Sequence, residues 1–283
     1  MRLGIVGNGF VGKATQGFAS DNVEMLLYDI DPDKCSPKET TLRDIAFCDL
    51  VMIAVPTPME ADGSCSTRIV KKVIEGLKQF STHCTIIVRS TVPIGFCEEN
   101  GVDFMPEFLT EANWPEDFRN NPLWIIGTDF LTDTKENVLR TLLSGAKERG
   151  GIVSDTFKVI STKEAEAIKY FRNCFLAMKV GFCNEFYDLC HHAGIDYVSM
   201  ISLAAHQDNR IGKGHTLVPG PDGLRGFGGT CFPKDLSSLV CQFKERHVQC
   251  PILESVQHRN LTIDRPERDW TSLEGRAVVS TEL

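Results

Sequence analysis

The sequence predicts an α/β chain, with a doubly wound parallel sheet first and a mostly helical domain built on one long helix after it. Three observations carry this reading. Short apolar runs alternate with helix-period patterns through the first half, as in a parallel sheet covered on both faces. A G-x-G-x-x-G stretch follows the first run directly. From Thr162 to Ala193 apolar residues recur at steps of three and four without a proline. The chain has 283 residues, enough for about two domains, and the change of character sets them at 1–158 and 159–283.

The strands are expected at Leu3–Val6, Met25–Tyr28, Leu50–Val55, Thr85–Arg89 and about Leu123–Gly127. Ser66-Thr67 offers a cap to a helix carrying Val70, Val73, Ile74, Leu77 and Phe80. Val138, Leu139, Leu142 and Leu143 mark another helix. The long helix bears Ile168, Phe171, Phe175, Met178, Phe182, Phe186 and Leu189 on one stripe and ends at Ala193-Gly194. At 1.5 Å per residue it is about 48 Å long. Its stripe is expected to face the chain's own core first, and a second subunit in part. Residues 206–230, with seven glycines and two prolines, read as loop, and helix resumes at about Asp235–His247 and after Pro251.

Composition narrows the function. The formal charge is −8 and no Lys/Arg block occurs, so nucleic acid and anionic membranes are poor partners. No apolar run reaches the length of a membrane span, and no signal peptide opens the chain; a cytoplasmic protein is expected. The eleven cysteines are odd in number and contain no C-x-x-C pair. Cys48, Cys174, Cys183, Cys190 and Cys241 lie in apolar segments and read as small buried hydrophobes in a reducing compartment. No clustered ligands suggest a metal.

Gly7-Asn8-Gly9-Phe10-Val11-Gly12 sits between a strand and a helix, the context a Rossmann-like dinucleotide fingerprint requires. Gly7 permits the tight turn, Gly9 admits a pyrophosphate to the backbone, and Gly12 lets helix and strand approach. The N–H groups at the helix start, those of Phe10 and Val11 among them, then hold the phosphates. Asp29 closes the second strand. It would accept the adenosine ribose hydroxyls and repel a 2′-phosphate, which favours NAD over NADP.

Four further motifs stand together: Val55-Pro56-Thr57-Pro58, Arg89-Ser90-Thr91-Val92-Pro93-Ile94-Gly95, Pro106-Glu107-Phe108-Leu109-Thr110-Glu111, and Gly226-Phe227-Gly228-Gly229-Thr230-Cys231-Phe232-Pro233-Lys234-Asp235. With Lys169-Tyr170-Phe171-Arg172-Asn173 and Asp208-Asn209-Arg210-Ile211-Gly212, they resemble the UDP-glucose/GDP-mannose dehydrogenase family. The motifs run in the family's order from residue 1 to about 260.

The resemblance implies oxidation of the primary alcohol of a nucleotide sugar to a carboxylate by two NAD in succession, with UDP-glucose as the first candidate. It implies that Cys231 adds to the intermediate aldehyde, so that a second hydride can leave and water can hydrolyse the resulting thioester. Lys169 and Asn173, four apart on one helix, are implied to stabilise the oxyanions. Asp235 is implied to orient water or act as a base, Glu107 to assist hydrolysis and Thr91 to position a water. Pro56, Thr57 and Lys34 would border the cofactor, together with Thr91, Glu111 and Lys234. The sugar nucleotide would meet Phe108, Leu109, Phe227 and Gly228, besides Glu107, Glu111, Lys169, Asn173 and Lys234. Arg210 matches an arginine that reaches into a neighbouring subunit's site, which implies a homodimer through the long helix.

The chain departs from the family pattern in places. The third domain that family members carry would begin where Leu283 stands, and Gly275–Val279 reads as a vestige of its first strand or as a tail. Arg89 replaces the usual lysine, Met105 an asparagine and Ala112 a glycine. The stretch Lys213–Arg225 is longer than usual, and its Pro219–Gly223 is expected to take over part of the absent domain's task. Two other readings stay open on the sequence. One is a two-electron NAD(P) dehydrogenase of the 6-phosphogluconate dehydrogenase type. The other is a non-catalytic NAD-binding protein that needs a partner domain.

Overall fold

The computed structural model describes residues 1–81 and 84–280. The chain divides into two compact units. The first comprises Met1–Thr57 and Thr67–Lys169, the second Pro58–Ser66 and Tyr170–Leu283, of which the last three residues lie outside the described part. The division falls inside the long helix, whereas 158/159 would cut a strand.

The first unit is a seven-stranded sheet. Its strands are β1 (Arg2–Val6), β2 (Glu24–Tyr28), β3 (Leu50–Ile53), β4 (Thr85–Val88), β5 (Asp103–Phe104), β6 (Trp124–Gly127) and β7 (Phe157–Ile160), in the order β2-β1-β3-β4-β5-β6-β7. All neighbours pair in parallel except β5 with β6. The five expected strands are present. β5 and β7 were not anticipated, because one has two residues and the other is only partly buried. The strand order reverses between β1 and β3, which makes the carboxyl ends of these strands the ligand-binding edge of such a sheet.

Helices α1 (Phe10–Thr15), α2 (Leu42–Ala46), α3 (Arg68–Phe80), α4 (Phe96–Asn100), α5 (Trp114–Arg119) and α6 (Asp133–Glu148) connect the strands. Thr67 stands at the N-cap of α3 as expected, but its side chain makes no capping bond. Two apolar clusters fill the unit. One joins Leu3, Ile5 and Met52 to Phe18, Phe118 and Trp124, the other Val51, Ile53 and Val88 to Val70, Ile74 and Leu77. The alternation of Leu50, Val51, Met52 and Ile53 between clusters follows the period of a strand buried on both faces. Glu166, on the first turns of α7 (Thr162–Ala193), accepts hydrogen bonds from the Gly95 and Cys97 N–H groups at 2.6 and 2.8 Å. It thereby fastens the loop between β4 and α4, and burial pushes its carboxyl above the usual value.

The second unit packs α8 (Tyr197–Ala204), α9 (Phe232–Glu245) and α10 (Pro251–Arg259) with the rest of α7. The stripe on α7 corrects an expectation. Phe171 is 70% exposed and Phe182 66%, and Phe175, Phe186 and Leu189 are also exposed, while Tyr170, Cys174, Ala177, Cys183 and Cys190 are buried. The chain's own packing takes a face of small residues and one tyrosine, so the aromatic stripe is not intrachain core.

Residues 206–230 hold turns and bends without helix or strand. Met59 N–H donates to the Ala277 carbonyl at 2.9 Å, and Val279 N–H to the Met59 carbonyl at 3.0 Å. Gly275–Val279 is thus a turn and a single bridge on Pro58–Ser66. All eleven cysteines are free, although Cys241 is half-buried rather than buried. Among the described residues no helix is long and apolar enough to cross a membrane, and no group of three His, Cys, Asp or Glu is placed to hold a metal.

Candidate active site

In the first unit the glycine loop is built as the spacing demands. Gly7 has φ +94°, and a β-carbon there would lie 2.6 Å from the Ala54 carbonyl oxygen. A β-carbon on Gly12 would run into the Gly7 carbonyl oxygen, whereas Gly9 faces open space. Only glycine satisfies the positions of Gly7 and Gly12. The loop therefore leaves its backbone accessible at Gly9, where α1 begins with no acidic residue in its first turn. This arrangement fits a dinucleotide pyrophosphate.

Asp29 does more than the sequence suggests. One carboxylate oxygen accepts the Asn8 N–H at 2.7 Å, and the other the Asp31 N–H at 3.0 Å. It braces the loop while presenting charge at the end of β2. Asn8 was missed by the sequence reading; its side chain donates to the Lys34 carbonyl and accepts from Gln16. The Lys34 ammonium pairs with Asp31 at 3.2 Å rather than with Asp29. Thr57 and Thr91 are buried past the ends of β3 and β4, and Ser90 Oγ ties these two loops by donating to the Val55 carbonyl at 2.7 Å.

Glu107 and Lys169 form a buried pair. Lys169 Nζ donates to Glu107 Oε1 and to its main-chain carbonyl, both at 2.7 Å, and Glu107 Oε2 accepts the Leu109 N–H at 2.8 Å. Phe108 lies under the ammonium, 5.8 Å from it. Glu111 is exposed.

In the second unit Cys231 is the N-cap of α9 and is half-buried. The helix end offers partial positive charge to an anion at this position. Lys234 and Asp235 follow in the first turn. Asp235 is buried and accepts from Lys234 Nζ at 2.5 Å and from Asn173 Nδ2 at 2.6 Å. Burial alone would pull Lys234 down. The Asp235 carboxylate outweighs it and holds the ammonium above the usual lysine value. Tyr170 shares a 2.9 Å hydrogen bond with Ser238 on α9, which fixes the register between the two helices.

The loop leading to Cys231 is clamped by residues that no motif announced. Asn260 accepts the Phe227 N–H and donates to the Phe227 carbonyl, both at 2.9 Å. Asn184 accepts the Gly226 N–H at 3.2 Å. Arg265 packs against Gly228 and pairs with Asp222 and Asp269, each at 2.6 Å. Asp222 belongs to Pro219–Gly223, so that stretch is tied to the loop that presents the cysteine. Arg210 stands outside this cluster, paired with Asp208, its side chain 89% exposed. It borders a groove of about 640 Å³ that includes Phe175, Met178, Phe182, Ile252 and Val256.

Comparison with known proteins follows the same division. Residues 38–143 match the NAD binding domain of the UDP-glucose/GDP-mannose dehydrogenase family, and residues 163–262 match its central domain. The first unit is therefore the family's NAD-binding domain, although the glycine loop precedes the matched stretch. UDP-glucose 6-dehydrogenase of Rickettsia typhi is 32% identical over 249 residues, which cover 84% of this chain and 55% of the relative. The chain thus spans little more than half of that protein's length. A putative UDP-glucose 6-dehydrogenase of Bacillus subtilis is 31% identical, with 93% of this chain and 68% of the relative covered. Among solved structures, a UDP-glucose dehydrogenase of Pyrobaculum islandicum superposes with a TM-score of 0.75 at 26% identity, over 92% of this chain and 67% of that one. A UDP-D-ManNAc dehydrogenase of Pyrococcus horikoshii, with a TM-score of 0.74 at 21% identity, shares the fold. With one domain match in each unit and a relative matched over two thirds of its length, the chain belongs to the UDP-glucose/GDP-mannose dehydrogenase family.

Proposed function

We propose that the chain carries out the four-electron oxidation of a nucleotide sugar, with UDP-glucose going to UDP-glucuronate, through a thiohemiacetal and a thioester on Cys231. The observation that carries this reading is the cysteine at the N-cap of α9, followed in the first turn by the half-buried Lys234 and by Asp235, which is buried and bonded to the buried Asn173. NAD, when bound, supplies the two-electron acceptor for each oxidation. The chain's residues handle everything else. The Cys231 thiolate adds to the aldehyde carbon and keeps the half-oxidised sugar from leaving. Once the thiohemiacetal has lost its hydride, the thioester is open to water.

The hydrogen-bond count suits the oxyanion roles. An ammonium has three N–H donors and a carboxamide two. Lys169 spends two on Glu107, and Asn173 spends one on Asp235. Each keeps a donor for a developing alkoxide, and the two residues stand one turn apart on α7. In the second unit the buried Asp235 takes a proton of the attacking water, and in the first unit the buried Glu107 holds Lys169 for its oxyanion role. Asp29 and the glycine loop hold the cofactor, together with Pro56 and Thr57. Purified chain given NAD and a panel of UDP- and GDP-sugars is expected to form two NADH per sugar, with UDP-glucose turned over fastest. A ratio of one, or no NADH from any sugar, would sink this reading.

The exposed stripe of α7 and the groove beside it support a homodimer formed through this helix. Phe182→Glu is expected to shift the sedimentation coefficient from that of a dimer to that of a monomer. A wild-type chain that sediments as a monomer at micromolar concentration would refute the dimer. Eleven free thiols suit a reducing compartment, and we place the reaction in the cytoplasm, where fractionation should find it.

A further inference from the structure

The Glu107–Lys169 pair has a charged neighbour with no task in the reaction above. Arg89 directly follows β4 and is 1% exposed. Its guanidinium lies over the rings of Phe18 and Phe118, 5.8 and 5.6 Å from their centroids. Such a position suits a planar cation. Its Nε and Nη1 are buried, yet neither has a hydrogen-bond partner among the described residues. Unmade bonds on a buried charged group are costly and rare in native proteins. Burial lowers this guanidinium to about 10, and the Glu107 carboxylate opposes that fall. At neutral pH it is therefore charged.

The same side chain lines a cavity of about 20 Å³ together with Glu107, Phe108, Asp117, Phe118 and Asn121. That volume holds one water molecule. The chemistry of the lining selects water over an anion. Two carboxylates border the cavity, and they would repel a chloride. A water accepts from guanidinium N–H groups and donates to carboxylate oxygens at the same time. The hydrogen bonds from Lys169 and Leu109 occupy one lone-pair site on each Glu107 oxygen, and a carboxylate has about four such sites.

We propose that Arg89 is a positioning residue for Glu107: through one water in this cavity, its Nε and Nη1 groups pin the carboxylate that grips Lys169. Two buried cations then share one buried carboxylate, and its rotamer is held from both sides. The functional weight of this arrangement rests on the roles given above to Glu107 and Lys169. Its existence does not.

Three measurements test it. In a crystal structure of the wild-type chain at a resolution that shows ordered solvent, a water within hydrogen-bond distance of both Arg89 and Glu107 is expected. A cavity without that water overturns the proposal. In a double-mutant cycle of Arg89→Met and Glu107→Gln read by urea unfolding, the loss from Arg89→Met is expected to be at least about tenfold smaller in the Glu107→Gln background. That factor in the unfolding equilibrium constant is about 1.4 kcal/mol of coupling. Additive losses overturn the proposal, since a purely structural Arg89 would not distinguish Glu from Gln. In turnover, Arg89→Met is expected to lower kcat about tenfold or more at unchanged KM for NAD, and Arg89→Lys, which keeps the charge, to recover most of it. A KM effect without a kcat effect overturns it. Should Arg89→Met fail to fold, the wild-type density and Arg89→Lys still decide. Should the wild-type chain turn over no sugar, the proposed reaction fails, and the cycle and the density alone judge Arg89.

Discussion

Cys231→Ser is expected to cut carboxylate formation by about 10³-fold or more, a loss typical for removal of a catalytic nucleophile, while NAD binding stays within about twofold of wild type. The reason lies in what the thiol does between the two oxidations. A serine hydroxyl at the same N-cap is a far weaker nucleophile at neutral pH, and an ester is a poorer acyl donor than a thioester. The first hydride transfer needs no thiol, so the variant should yield at most one NADH per sugar and release or retain the aldehyde. NADH stoichiometry with a trap for free aldehyde checks both points. A two-electron dehydrogenase would scarcely notice the substitution. Two NADH per sugar at a wild-type rate would remove Cys231 from the chemistry.

Asp235→Asn is the second large effect, and it reaches stability as well as rate. Asp235 is buried and receives hydrogen bonds from Lys234 and Asn173. Asparagine keeps the shape but leaves Lys234, whose side chain is only 12% exposed, without its counter-charge. Breaking a buried ion pair from one side costs about 3–5 kcal/mol. The pH dependence follows from the opposing influences on Lys234. In the wild type its folded value is raised, so its contribution is complete below the usual lysine value and is lost only at higher pH. In the variant burial prevails, the folded value falls below the unfolded one, and the unfolded chain binds more protons. The variant's deficit should therefore be largest at about pH 6 and shrink toward about pH 9. Urea unfolding of both proteins across that range measures it, and a deficit independent of pH would refute this account of Lys234. Loss of a proton-transfer group should also lower kcat by about 10²-fold or more.

Much of the first unit was legible because parallel strands buried on both faces leave unbroken apolar runs. Leu50–Ile53 announces itself; Phe157–Ile160 does not, since Lys158 interrupts it and its residues are only partly buried. The stripe on α7 was legible as a stripe, but its burial was not. Periodicity reports that one helix face is apolar and says nothing of what covers it, and the face the chain does bury is written in Cys174, Ala177, Cys183 and Cys190, residues with little hydrophobic signal. At the site, Cys231, Lys234 and Asp235 could be read together because one helical turn joins them. Asn260 and Arg265 could not. They follow Phe227 and Gly228 at long range, and a hydrogen bond to a distant main chain leaves no mark in local sequence.

The pairing of Met59 with Ala277 and Val279 also sets an order of events during synthesis. Pro58–Ser66 leaves the ribosome with the early strands, but its main-chain partners are among the last residues described. At about 5–20 residues per second, the segment spends roughly ten seconds or more as a tether without its eventual partners. The NAD-binding unit must take shape around this excursion, and the second unit is completed only when a stretch made late closes on one made early. A single cut at Lys169 would accordingly strand Pro58–Ser66 on the wrong fragment, and a separately expressed C-terminal half would lack the segment on which its last residues pair.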